Sequence, residues 1–177
     1  MGEEKKETWL NYLALTTVIL AVCATLSTFK GGGYSTRSVM SQTQASDQWA
    51  FFQAKSIKSY IYEMQKDKLE LELKATGKIP PQAAAEYAKK IEEYASKSKK
   101  YDAEKIEIQN DAKRYEKIRN DAQMHSQIFG IAVIYLQIAI LLSSIAALIK
   151  KKLVWLLGVS VGLVGIIYFL NGFLLFF

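Results

Sequence analysis

SQIFGIAVIYLQIAILLSSIAALI-KKK-LVWLLGVSVGLVGIIYFLNGFLLFF, residues 126–177, decides the fold class. Two stretches without Asp, Glu, Lys or Arg, Ser126–Ile149 and Leu153–Phe177, flank three consecutive lysines. Each exceeds the about 20 residues a helix needs to cross a hydrocarbon core about 30 Å thick. A third uncharged run, Thr8–Phe29, lies near the N-terminus. In lipid the backbone has to satisfy its own hydrogen bonds, and the alternation of a barrel strand is absent, so all three are predicted to be transmembrane helices.

Working outward, the rest of the chain is polar. Of 177 residues half are hydrophobic, yet 23% are charged and the net charge is +6. Segregation reconciles these figures. Between Ser38 and Gln127 there are 16 basic and 14 acidic residues, interspersed as on solvated helix faces. That balance argues against a nucleic-acid partner. The dense basic cluster, Lys150-Lys151-Lys152, is instead a topology signal: so short a loop with three positive charges is expected on the cytoplasmic side. The N-terminus is then cytoplasmic, and the polar region and Phe177 are external. Cys23 is the single cysteine, so no intrachain disulfide can support the polar region. The first apolar run is longer than a cleavable signal core, which predicts an uncleaved signal anchor.

The expected organisation is an all-α membrane protein with a long, coiled-coil-like helical hairpin between its first and second spans. Residues 1–8 form a tail, 9–29 the first transmembrane helix, and 30–36 a hinge at Gly31, Gly32 and Gly33. Three glycines are expected to end the helix, because their backbone entropy opposes it. The hairpin covers 37–127 with a turn near 76–81, where Gly77 suits a C-terminal cap and Pro81 a first helical turn. The second span is 128–149, the basic loop 150–152 and the third span 153–177.

In the first hairpin arm Ala50, Ala54, Ile57, Ile61, Met64, Lys68 and Leu71 recur at spacings of four and three. The second arm reads Tyr87, Ile91, Tyr94, Ser98, Tyr101, Lys105, Ile108, Ala112, Tyr115, Arg119 and Ala122 in the same heptad rhythm. Folding about residue 78 sets Ala54 opposite Tyr101, Ile57 opposite Ser98, Ile61 opposite Tyr94 and Met64 opposite Ile91. Trp49, Phe51 and Phe52 point to more than one side of their helix, more than two helices can cover, so Trp49 and Phe52 are expected to pack on neighbouring subunits, the alternative being that they rest on the lipid surface if the segment after the hinge lies flat. In the third span Gly158, Gly162, Gly165 and Gly172 share a face that admits a close helix, within the chain or between copies.

No catalytic, cofactor or metal site is expected. His125 is the single histidine, so one chain cannot assemble a histidine pair, and the bland reading is an interfacial polar side chain. Glu70 with Lys74 and Glu93 with Lys97 are surface pairs. The glycine triplet lacks the lysine and hydroxyl context of a phosphate loop.

Three segments carry a family resemblance: Asn11–Thr17 (NYLALTT), Ser27–Arg37 (STFKGGGYSTR) and Gln44–Lys58 (QASDQWAFFQAKSIK). With Lys66–Glu70 and the glycine-rich last span, the chain resembles the bacterial membrane family catalogued as domain of unknown function 4337. The resemblance implies a bacterial source, hence the bacterial inner membrane, and the three-span layout. It supplies no activity. The expected role is a non-enzymatic, homo-oligomeric scaffold or tether in the lipid bilayer. The alternatives are an accessory or regulatory subunit of a transport or signalling complex, and a channel.

Overall fold

The computed structural model describes residues 4–75 and 80–176, with side chains from Thr8 onward. Gly77 and most of the expected turn lie outside the described residues. All regular structure among the described residues is helical: α1 (Glu4–Ala75), α2 (Pro81–Ile149) and α3 (Lys152–Leu174). Each contains a segment long and apolar enough to cross a membrane. Pro81 opens α2 as its position predicts, since a first-turn residue needs no backbone N–H donor. Between α2 and α3 Lys150 takes a left-handed conformation (φ 54°), so the chain reverses within two residues. Lys152 already belongs to α3, one residue earlier than the sequence placed it.

The glycine triplet corrects an expectation. α1 does not end at residues 30–36; it runs as helix through Gly31, Gly32 and Gly33. Contacts with α2 supply the physical reason. A Cβ at Gly31 would sit 3.0 Å from the Cβ of Phe129, and the Ser126 hydroxyl donates to the Gly31 carbonyl at 3.0 Å. Close approach here offsets a helix-propensity cost of about 1 kcal/mol per glycine. Nothing in the structure requires glycine at 32 or 33, where a Cβ would meet open space.

The chain divides into two units. One comprises Met1–Met40 with Ile118–Phe177, the other Ser41–Lys117. In the first, three helices pack around Leu20, Ala24, Ala132, Leu136 and Ala139, with a second cluster at Trp9, Leu13 and Ala146. In the second, α1 and α2 lie antiparallel: Trp49 meets Glu116, Lys55 meets Glu104, Ser59 meets Ser98, and Glu72 meets Tyr87.

Candidate functional site

The three-helix unit is built on small residues. Gly158, Gly162, Gly165 and Gly172 are all buried on one face of α3. A Cβ at Gly158 would lie 3.2 Å from the Ala139 carbonyl oxygen, and one at Gly162 would lie 2.8 Å from Leu20. At Gly165 it would stand 2.8 Å from Leu136 Cγ and 3.0 Å from the Leu136 backbone nitrogen. At Gly172 it would enter the Phe129 ring at 2.7 Å. The glycine face therefore receives α2 and α1 of the same chain, and its packing is satisfied without a second copy.

Each end of this unit is fastened by aromatic and polar groups. At one, the Trp155 indole N–H donates to the Thr16 hydroxyl at 3.1 Å. Trp9 packs 6.3 Å from Trp155, with the Lys152 ammonium 5.9 Å over its ring. At the other, His125 does more than the sequence suggested. Its Nδ1 lies 2.7 Å from the Gly172 carbonyl oxygen, and its ring stacks on Tyr34 at 4.4 Å. One side chain thus touches all three helices. Asn171, buried in α3, accepts the Phe176 backbone N–H at 2.8 Å, which caps the helix where Leu175 turns left-handed. Gln137 and Asn11, the other strong hydrogen-bonding side chains of the apolar segments, are exposed.

In the hairpin unit the second-arm stripe lies in the seam. Tyr87, Tyr94 and Tyr101 are half-buried, and Ile108 and Ala112 are buried. The first-arm stripe is corrected. Ile57, Ile61, Met64 and Leu71 are exposed, and the seam is made by Phe52, Lys55, Ser59, Tyr62, Lys66 and Leu69 instead. Two residues separate the stripes, about 200° round the helix. Both have heptad spacing, but only the second complements the polar partner. The Ser59 hydroxyl donates to Asp102 at 2.8 Å, and Tyr62 stacks on Tyr101 at 5.8 Å and tilts against Tyr94 at 5.7 Å. Sequence alone set Ile61 opposite Tyr94; Tyr62 is there.

Trp49 and Phe52 are likewise half-buried within the hairpin. The Trp49 indole N–H donates to Glu116 at 2.9 Å, and its ring meets Phe52 edge-on at 5.5 Å. These contacts lie within one chain, while Phe51 stays exposed. Lys105, awkward at a seam position on paper, pairs with Asp102 at 2.7 Å and lies over the Tyr60 ring.

Hydrogen bonds from Lys90 and Lys97 hold the Glu93 carboxyl at about 2, well below its ordinary value. A hydrogen bond from Lys105, then one from Ser59, lowers Asp102, and Lys55 lowers Glu104. Lys90 and Lys97 are raised in return by Glu93. The Lys90–Glu93–Lys97 and Lys105–Asp102 pairs lie within α2, whereas Ser59–Asp102 and Lys55–Glu104 join α1 to α2. Among the described residues no group of three His, Cys, Asp or Glu side chains is placed to hold a metal.

A family model described as domain of unknown function (DUF4337) matches residues 9–175. No curated protein and no solved structure matches the chain.

Proposed function

We propose that this chain, which belongs to the DUF4337 family, is a membrane-anchored helical scaffold or tether that acts as a homo-oligomer and without catalysis. One observation carries the membrane part. The outer surface of the three-helix unit is large and apolar, with Leu15, Val22, Leu26, Ile134, Leu141 and Leu163 exposed, while Ala24, Ser27, Ala132, Ala139, Ser143 and the four glycines of α3 are buried beside Leu20, Phe129 and Leu136. Water would reverse that distribution. Lipid favours it, because tails solvate large apolar side chains and small residues let helices approach. Trp9 and Trp155 at one end and Tyr34 with Phe173 at the other suit the two interfaces.

The lysine loop puts the N-terminus on the cytoplasmic side and residues 41–117 outside. The scaffold role is supported by how the hairpin uses its polar groups: Trp49, Lys55 and Ser59 of α1 bond to Glu116, Glu104 and Asp102 of α2 along the seam. A channel within one chain is disfavoured by a core filled with Phe129, Leu136 and Leu20. The accessory-subunit reading is favoured by one feature, an apolar crevice of about 190 Å³ lined by Thr16, Leu20, Val159 and Leu163, which a foreign apolar side chain would fill.

The test is flotation of the chain with liposomes and retention after alkaline carbonate, followed by mass measurement in mild detergent. Retention with a multiple of the chain mass supports the reading. Extraction by carbonate overturns it, and retention with a different co-purifying chain favours the subunit reading. Orientation is read separately in right-side-out vesicles, in a Cys23→Ser background. Glu92→Cys should react with an impermeant thiol reagent and Lys151→Cys should not.

A further inference from the structure

We propose that the outward stripe of α1 in the hairpin unit, from Ala54 through Ile57, Ile61, Met64 and Lys68 to Leu71, is a homotypic docking face. The same stripe of a second copy lies on it, parallel and in register. The inference rests on the membrane-anchored reading and deepens it by naming the surface that makes the oligomer.

Exposure comes first. Ile57 is 59% exposed, Ile61 42%, Met64 66% and Leu71 65%, although the seam next to them is closed by polar groups. The other arm differs: among the described residues 81–117, Ile106 is the large apolar side chain left exposed. Spacing comes second. The stripe advances by three and four residues alternately, the repeat of a helix that keeps one side against a parallel helix.

The occupant is identified by a groove of about 420 Å³ lined by Met64, Asp67, Lys68, Leu71, Glu72 and Ala75. In a parallel in-register pair the side chain at 68 enters the hole between 64, 67, 68 and 71, and the side chain at 71 enters that between 68, 71, 72 and 75. The groove is those two holes side by side. Lys68, the one charged member of the stripe, then lies between Asp67 and Glu72 of the facing copy. Within its own chain it reaches Glu72 only at 3.9 Å. A stripe spanning Ala54 to Ala75 is about 32 Å long, too narrow a contact to reach the about 800 Å² per partner of a standard free interface. Anchorage of both copies in one bilayer fixes the parallel direction and raises their effective concentration.

The test uses the full chain in liposomes, Cys23→Ser, carrying Ile61→Cys, Met64→Cys or Ile106→Cys in turn. Mild oxidation should give disulfide dimers at 61 and 64 about tenfold faster than at 106, and Lys68→Glu should slow them about tenfold while Lys68→Leu does not. These positions are exposed, so folding of the chain is not at stake. Equal rates at all three, or no dimer, in chains that resist carbonate overturns the docking face and leaves the anchor reading standing. Chains that carbonate extracts overturn the anchor, and the parallel pairing with it.

Discussion

His125 Nδ1 stands 2.7 Å from the carbonyl oxygen of Gly172, which fastens the last turn of α3 to α2. A carbonyl can only accept, so Nδ1 carries the proton in this contact. The same ring stacks on Tyr34 and brings α1 into the junction.

His125→Phe keeps an aromatic face for Tyr34 and removes the hydrogen bond. The expected loss is about 1 kcal/mol. Hydrogen exchange should rise in residues 170–176 of α3 while the Trp9–Trp155 end is unchanged. Unaltered exchange at the α3 terminus would show that the bond holds nothing.

Gly165→Ala places a methyl against Leu136 Cγ and backbone nitrogen, neither of which is a free side-chain end. Overpacking of this kind costs about 1–3 kcal/mol. The melting temperature in detergent should fall clearly, whereas Val164→Leu on the exposed side should leave it unchanged. Because the glycine face packs within the chain, oligomer mass should survive Gly165→Ala in whatever fraction stays folded.

Ser59→Ala breaks the bond to Asp102 at a buried position and should destabilise the hairpin by about 1 kcal/mol. Ile57→Ser, on the exposed face, should change the chain's own stability by less than about 0.5 kcal/mol. The reverse ranking, read by hydrogen exchange across residues 90–105, would restore the seam that the apolar stripe suggests.

Acid should loosen the hairpin. Glu93 is depressed from 4.5 to about 2, and Asp102 and Glu104 are lowered too. A depressed carboxyl contributes stability that is present above its unfolded value and lost as pH falls through the folded one. Exchange in residues 90–105 should therefore rise between about pH 4.5 and 2, with Glu93→Gln flattening part of the change. Lys90 and Lys97, raised by Glu93, give the mirror effect above 10.5. Both are surface effects and should shrink in high salt.

Sequence alone made the helices and their order legible. Three uncharged runs, a proline-marked turn and an unbroken heptad from Tyr87 to Ala122 depend on local chemistry: charge, chain stiffness and periodicity. The second-arm stripe faces its partner as read, because it is the best heptad available on that helix. On the first arm two stripes have equal rhythm, and hydrophobicity favours Ile57, Ile61 and Met64. Tertiary structure chose Lys55, Ser59 and Tyr62, because the facing arm offers Glu104, Asp102 and tyrosine rings that polar side chains satisfy.

The same division holds in the apolar unit. A glycine face on α3 can be read from spacing, but whether α2 or another chain fills it depends on where Leu136 and Phe129 come to rest. Gly31 carries a helix-breaking signal in sequence, yet contact with Phe129 and Ser126 keeps α1 intact through it. His125 gave no local signal at all, since its partners Tyr34 and Gly172 lie 91 and 47 residues away. Propensity and periodicity act over a few residues and fix which helices form. Which faces meet is decided by close contacts between residues far apart in the chain, and those exist only once the helices have packed.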